Sequence, residues 1–246
     1  MSRALTLIFA IVAYAIFFAT FLYLICFVGN IPLVSQTVDV GTQAPVAVAA
    51  IIDIALIALF GAQHSVMARQ GFKRWWTKVV PQPAERSVYV LMASAALILL
   101  MALWRPIDAV VWSVTAPMAS SLIQAVFWAG WATVLLSTFL INHFELFGLQ
   151  QAWFNMQGRE AAAHKLHQPL LYKWVRHPLY LGFFLAFWAT PQMTAGHLLL
   201  AAGVSAYMLI AIRYEERDLV RLFGKDYEDY RANVGMLTPR FRRRSA

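Results

Sequence analysis

Apolar residues run along this chain in blocks too long and too continuous for an amphipathic helix or a half-buried strand. Membrane spans are predicted at about 4–29, 46–66, 87–104, 121–141, 179–193 and 197–213. The first four lie near the roughly twenty residues that a helix needs to cross a bilayer, and the last two are shorter. Only a tight break at Pro191 and Gly196 separates those two, so they are expected to form a helical hairpin, tilted or stopping short of a full crossing. The first block has too long an apolar run for a signal-peptide core, and no small-residue cleavage site follows it, so it reads as a retained helix.

Composition agrees with the pattern. The chain has 246 residues, of which 61% are hydrophobic and only 13% charged. The expected fold is an all-α polytopic membrane protein with about six transmembrane helices, built as a single domain over 1–246 without internal repeats.

Charge then orients the spans. The loop 67–86 carries Arg69, Lys73, Arg74, Lys78 and Arg86, the segment 142–178 carries Arg159, Lys165, Lys173 and Arg176, and the C-terminal tail is strongly basic. Loop 30–45 has no Lys or Arg, and loop 105–120 has only Arg105. The positive-inside bias places both termini and the basic loops in the cytoplasm, which six crossings satisfy. The net charge of +8 is juxtamembrane, so it points to anionic lipid headgroups, notably at Arg240, Arg242, Arg243 and Arg244, rather than to nucleic acid. Cys26 stands alone within the first span and reads as a small buried hydrophobe.

Polar residues gather at the basic ends of the spans. Gln63, His64 and Ser65 close the second, Glu85, Arg86 and Ser87 open the third, and Asn142, His143 and Glu145 follow the fourth. Ser137 or Thr138, Asn142 and Glu145 recur at helical spacing, so one helix face is expected to turn polar as it leaves the membrane. The fifth span opens on Arg176-His177-Pro178-Leu179-Tyr180-Leu181-Gly182, and the sixth closes on Arg213, Glu215, Glu216 and Arg217. A site at this interface is the economical reading, although each group has a plainer one: His64 as a cap or neighbour's partner, Glu85 and Arg86 as a local pair, Glu215 and Glu216 as a solvated helix end. Asp53 lies inside the second span, where a carboxylate serves either helix packing or a substrate path. His164 and His167 have a spacing that metal sites use but lack a third ligand, so no metal is expected. His197, at the hairpin tip, reads as structural.

The stretch from Arg176 to Gly182, followed by Glu215-Glu216, Phe223-Gly224, Tyr227, Tyr230 and Pro239, resembles the C-terminal pattern of the isoprenylcysteine carboxyl methyltransferase superfamily over about 172–240. The segments Gln63–Arg69, Phe72-Lys73, Glu85–Val90 and Asn142–Leu149 are similar to the bacterial methanethiol S-methyltransferases, extending the resemblance from near residue 4 to 240. The resemblance implies an S-adenosyl-L-methionine site between the last hairpin and the tail, methylation of methanethiol to dimethyl sulfide, and a bacterial inner membrane. It implies cofactor roles for Arg176, His177, Pro178, Tyr180, Gly182, Arg213, Glu215, Glu216 and Arg217. Within these, Pro178 would set the helix start, Gly182 would allow close approach, and Arg176 would pair with the methionyl carboxylate. Substrate contacts would come from Glu85, Arg86 and Asn142.

The reaction needs a thiolate, and burial raises a thiol's pKa, so a general base is expected. His64, His143 and Glu145 are the candidates, and residue order does not rank them. Two other readings stay open: a methyltransferase for an isoprenylcysteine or lipid-type substrate, which needs a side opening, and a non-enzymatic membrane subunit, which predicts no cofactor binding.

Overall fold

The computed structural model describes residues 2–159 and 168–240; Lys165, His164, His167, Arg242, Arg243 and Arg244 lie outside these. Ten helices are present among the described residues: α1 (Arg3–Val28), α2 (Val46–Ala68), α3 (Gln70–Trp76), α4 (Gln82–Leu103), α5 (Pro117–Ile141), α6 (His143–Leu146), α7 (Leu149–Gln157), α8 (Pro178–Trp188), α9 (Ala195–Phe223) and α10 (Lys225–Asn233). Five of them, α1, α2, α4, α5 and α9, are long and apolar enough to cross a membrane. Their outward faces carry large apolar side chains in the open, including Ile51 at 69% and Leu122 at 63% exposure. In water that surface would be costly, whereas lipid solvates it while each helix satisfies its own backbone. The molecule is an integral membrane protein.

The hairpin expected at the C-terminal end is present, but its two arms are unequal. α9 is 29 residues long and carries its charged end well past the apolar region. α8 has 11 residues, a length of about 16 Å at 1.5 Å per residue, which is half a bilayer core. It is short because it starts deep. Gly182, four residues into α8, already lies against Gly130 and Val134 of α5, two to three turns below the end of that helix. A Cβ on Gly182 would come within 2.7 Å of the Gly130 carbonyl oxygen, and one on Gly130 within 2.7 Å of the Ala186 nitrogen. Such backbone-to-backbone approach is how helices pack where the hydrophobic effect gives no help. The tip between α8 and α9 is no bare turn: Gln192–Thr194 (β2) pairs antiparallel with Val110–Ser113 (β1).

The face that holds β1 and β2 also closes the other loops. The Gln36 amide donates to carbonyls at the end of α4, closest to Met101 at 2.8 Å, and the Trp104 indole donates to Val38 at 3.0 Å. Asp53, fully buried, accepts the Arg105 N–H at 2.9 Å. The intramembrane carboxylate thus serves the break after α4, which favours its packing reading over a substrate path. His197 donates from Nε2 to the Phe187 carbonyl at 2.9 Å, binding the two arms of the hairpin together. Cys26 is half-buried rather than enclosed.

Between the two faces, Leu24, Phe27, Leu56, Leu100, Trp104, Phe127, Trp131, Phe187 and Leu200 form one apolar core drawn from all six apolar helices. Gly182→Leu should drive α5 and α8 apart and cost at least about 1–3 kcal/mol, read as a lower thermal midpoint and less monodisperse protein in detergent. Gly71→Ala, whose added Cβ meets nothing within 4 Å, should change neither.

Candidate functional site at the polar face

The N-terminus of α1, the ends of α2, α5 and α9, the starts of α4 and α8, and the tail helix α10 share the second face. Within it the side chains sort into a clasp and two clusters.

The clasp is built on Glu216. Its Oε1 accepts from Arg176 Nε at 2.8 Å and Nη2 at 2.7 Å, and lies 3.1 Å from His177 Nε2. The remaining guanidinium nitrogen of Arg176 donates to the carbonyls of Arg231, at 3.2 Å, and Val234. The backbone follows: the N–H groups of Arg176 and His177 donate to Gly235 and Met236 at 2.8 and 3.1 Å, and Tyr230 donates its hydroxyl to the Tyr172 carbonyl at 2.6 Å. Pro178 opens α8 at its first position, where a missing N–H costs nothing.

The expectation that Arg176 meets a ligand carboxylate is therefore revised. Its charge is neutralised inside the protein, with only 7% of the side chain exposed. Gly182 is likewise revised, since the close approach it permits is to α5.

The first cluster surrounds His64. Its Nε2 is 2.8 Å from the Tyr89 hydroxyl, its ring stacks on Phe60 at 5.3 Å, and the Tyr207 ring stands edge-on at 6.2 Å. Nδ1 of His64 is buried and has no hydrogen-bond partner among the described residues. Arg86 lies over the Tyr89 ring at 4.9 Å and donates from Nε to the Leu146 carbonyl at 2.7 Å. From the hairpin, Tyr180 donates to Glu215 Oε2 at 3.0 Å. Tyr207 sits beside Ser65 and Arg69, with Glu215 in electrostatic reach. Arg213 and Arg217 are exposed on α9; Arg217 and Arg69 both approach the Tyr214 ring, at 5.7 and 4.0 Å. Glu85 does not pair with its neighbour Arg86; it faces Lys73, whose ammonium is held below its ordinary pKa, chiefly by burial.

The second cluster surrounds His143. α5 does not continue as a polar face, because Asn142 breaks it with extended backbone and caps α6 by accepting the Glu145 N–H at 3.3 Å. The Asn142 amide also donates to Glu145 at 2.9 Å and to Gln150 at 2.6 Å. Both nitrogens of His143 are used. The Thr138 hydroxyl gives its one proton to the Leu135 carbonyl at 2.7 Å, so it accepts from Nδ1, at 2.8 Å. Nε2 then accepts from Tyr14, also at 2.8 Å. Burial holds this imidazole below its ordinary pKa, so it sits neutral, tying α1 to α5. Phe17 and Phe147, stacked at 4.0 Å, lie between the two clusters.

Glu215 and the residues before Gly182 were expected to face each other, and Tyr180 does meet Glu215. Residue order did not disclose Tyr89 and Tyr207 as parts of the site, nor Tyr14 as the partner of His143. Tyr89 stands one turn after Glu85-Arg86 and was within reach of a helical-face argument; Tyr207 sits mid-run in α9 with no local signal. No group of three or more metal-ligating side chains occurs among the described residues.

Comparison with known proteins adds the family. The chain is 52% identical over 239 residues to "Methanethiol S-methyltransferase" of Mycobacterium tuberculosis, covering 97% of this chain and 98% of that protein. It is 52% identical over 237 residues to "Methanethiol S-methyltransferase 1" of Bradyrhizobium diazoefficiens, covering 96% of this chain and 83% of that one. The chain belongs to the methanethiol S-methyltransferase family. A more distant likeness, 30% over 205 residues, links it to "Nurim" of Xenopus laevis, covering 79% of this chain and 70% of that one. No family model and no solved structure matches the chain.

Two outcomes follow from the contacts that hold this member of the family together. Arg176→Ala strands the Glu216 carboxylate and should cost about 3–5 kcal/mol, measured as a lower thermal midpoint with faster proteolysis within α10. For His143 the unfolded chain takes up a proton as pH falls through the ordinary imidazole value, about 6.5, while the folded ring resists it. The stability it contributes is full above that pH and declines below it. Between pH 7.5 and 5.5, His143→Gln should therefore lose less thermal stability than the parent protein does.

Proposed function

We propose that this protein transfers a methyl group from S-adenosylmethionine to methanethiol, releasing dimethyl sulfide, at the His64–Tyr180–Glu215 cluster. The observation that carries the reading is the convergence of α2, α4, α8 and α9 on one set of aromatic, carboxylate and imidazole side chains, in a chain half identical to enzymes of that name. We further propose that the whole chain acts as one catalytic unit, that the polar face is cytoplasmic, and that both termini lie there.

The residues present fit that cofactor by their donor set. Glu215 keeps its second carboxylate oxygen for an ammonium or ribose hydroxyl, while the charge of Glu216 is matched by Arg176 through Oε1. Arg213 and Arg217 stand exposed for a carboxylate, and Tyr180 offers a ring next to its bond with Glu215. The Tyr227 hydroxyl is buried without a partner beside the clasp, a polar atom that a bound ligand or water would satisfy. Once bound, the cofactor supplies an electrophilic methyl group on a sulfonium.

The protein's own contribution is placement and dryness. Attack of a thiolate on a sulfonium annihilates charge in the transition state, so a low-dielectric site favours it once both groups are in line. Methanethiol is small and apolar enough to arrive through lipid. Arg86, fixed over the Tyr89 ring, offers a positive charge to the thiolate before attack, and Asn142 and Glu85 support the loops on either side. His64 is the base in this reading, because His143 has both nitrogens bonded and Glu145 is engaged by Asn142.

Purified protein in lipid nanodiscs, given S-adenosylmethionine and methanethiol, should release dimethyl sulfide into the headspace. Glu215→Ala should weaken cofactor binding by calorimetry at least about tenfold, the loss expected for a charge-assisted hydrogen bond. Absence of dimethyl sulfide above a protein-free control would reject the activity.

A further inference from the structure

We propose that Nδ1 of His64 is the atom that takes the thiol proton, and that Tyr89 is the positioning residue that keeps this nitrogen bare. The proposal rests on the thiol-methylating reading above and extends it to one atom and one supporting hydroxyl.

The assignment starts from proton counting. The Tyr89 hydroxyl lies 2.8 Å from His64 Nε2 and 3.4 Å from the His64 carbonyl oxygen. It has one proton to give, and a carbonyl can only accept. With that proton directed to the carbonyl, Nε2 carries the ring proton and donates it to the tyrosine oxygen. A neutral imidazole protonated on Nε2 leaves its lone pair on Nδ1. That nitrogen is buried and has no hydrogen-bond partner. A buried acceptor left unsatisfied is costly, and a thiol S–H is a donor that relieves it.

The surroundings suit a thiol with little attached. Phe60 stacks on the imidazole at 5.3 Å, and the Tyr89 and Tyr207 rings stand at 5.1 and 6.2 Å. Tyr207 closes on α2 because Gly61 has no side chain; a Cβ there would lie 3.0 Å from its ring. Three aromatic rings thus flank the imidazole, apolar neighbours that suit a substrate carrying only a methyl group.

Arg86, Tyr89 and Tyr207 face His64 directly, and the charged and polar groups around those tyrosines are Ser65 on α2, Arg69 just after it, Glu85 on α4, Tyr180 on α8 and Glu215 on α9. In the step, the S–H bond breaks, its proton goes to Nδ1, and the electron pair stays on sulfur. With the cofactor bound, that sulfur would bond to its methyl carbon while the methyl–sulfonium bond broke, the electrons leaving with a neutral thioether. His64 ends with a proton on each nitrogen and gives the Nδ1 proton to solvent before the next turnover.

Tyr89→Phe tests the pair, since it keeps the ring and removes only the hydroxyl. His64→Gln should lower kcat about 10²–10⁴-fold. Tyr89→Phe should lower it about tenfold, with cofactor affinity unchanged by calorimetry and the acid limb of the kcat/KM pH profile displaced. Isotope-edited histidine NMR of the cofactor-free protein should show His64 protonated on Nε2, and a mixture of tautomers in Tyr89→Phe. A wild-type His64 protonated on Nδ1, or a Tyr89→Phe variant with unchanged pH profile and tautomer, would overturn the proposal. The NMR readout needs no turnover: an Nε2-protonated His64 in a protein that makes no dimethyl sulfide would sustain the tautomer assignment and reject the activity instead.

Discussion

One desolvated carboxylate holds the polar face together. Glu216 is shared by a guanidinium and an imidazole from the segment that opens α8, and the same guanidinium grips the carbonyls that end α10. Each of these charges alone would be costly at the edge of a bilayer, and each is tolerated because the others are present. The start of the short helix, the end of the long one and the tail are thereby tied at one point. The neighbouring carboxylate, Glu215, projects about 100° away round α9 and accepts from the Tyr180 hydroxyl. Two adjacent acidic residues are thus divided between a clasp and a free-facing site, and the division follows from helix geometry.

The clasp also fixes where α8 starts. Gly130 and Gly182 let α5 and α8 meet backbone to backbone, so α8 begins well inside the slab and needs only 11 residues to reach the far face. Tyr180 is carried down with it, into the layer occupied by His64, Tyr89 and Tyr207. In the proposed function, a site at that level would take an apolar thiol from the lipid side and a polar cofactor from the basic face.

The two histidines near this level illustrate how partners decide chemistry. His143 is bonded on both nitrogens, to Thr138 and Tyr14, and joins α1 to α5. His64 has one nitrogen bonded and the other enclosed without a partner. Phe17 and Phe147 keep the two environments apart. By residue type and by position at a span end they look equivalent, which is why the chain read alone left the base unranked.

Residue order by itself determined the membrane class, the positions of the spans, the gathering of polar groups on one face, and the facing of Arg176–Tyr180 with Glu215–Glu216. Those follow from local properties: apolar run length, charge in short loops, and two segments joined by one tight hairpin. Only the tertiary structure decided that Arg176 is consumed by Glu216 and the tail, that Gly182 serves α5, that α8 is half a span, and that Tyr14, 129 residues away in sequence, saturates His143. The physical reason is that each of these depends on how far helices approach and how they are rotated about their axes. Small residues and buried hydrogen bonds set both across long separations, and no periodicity along the chain records them.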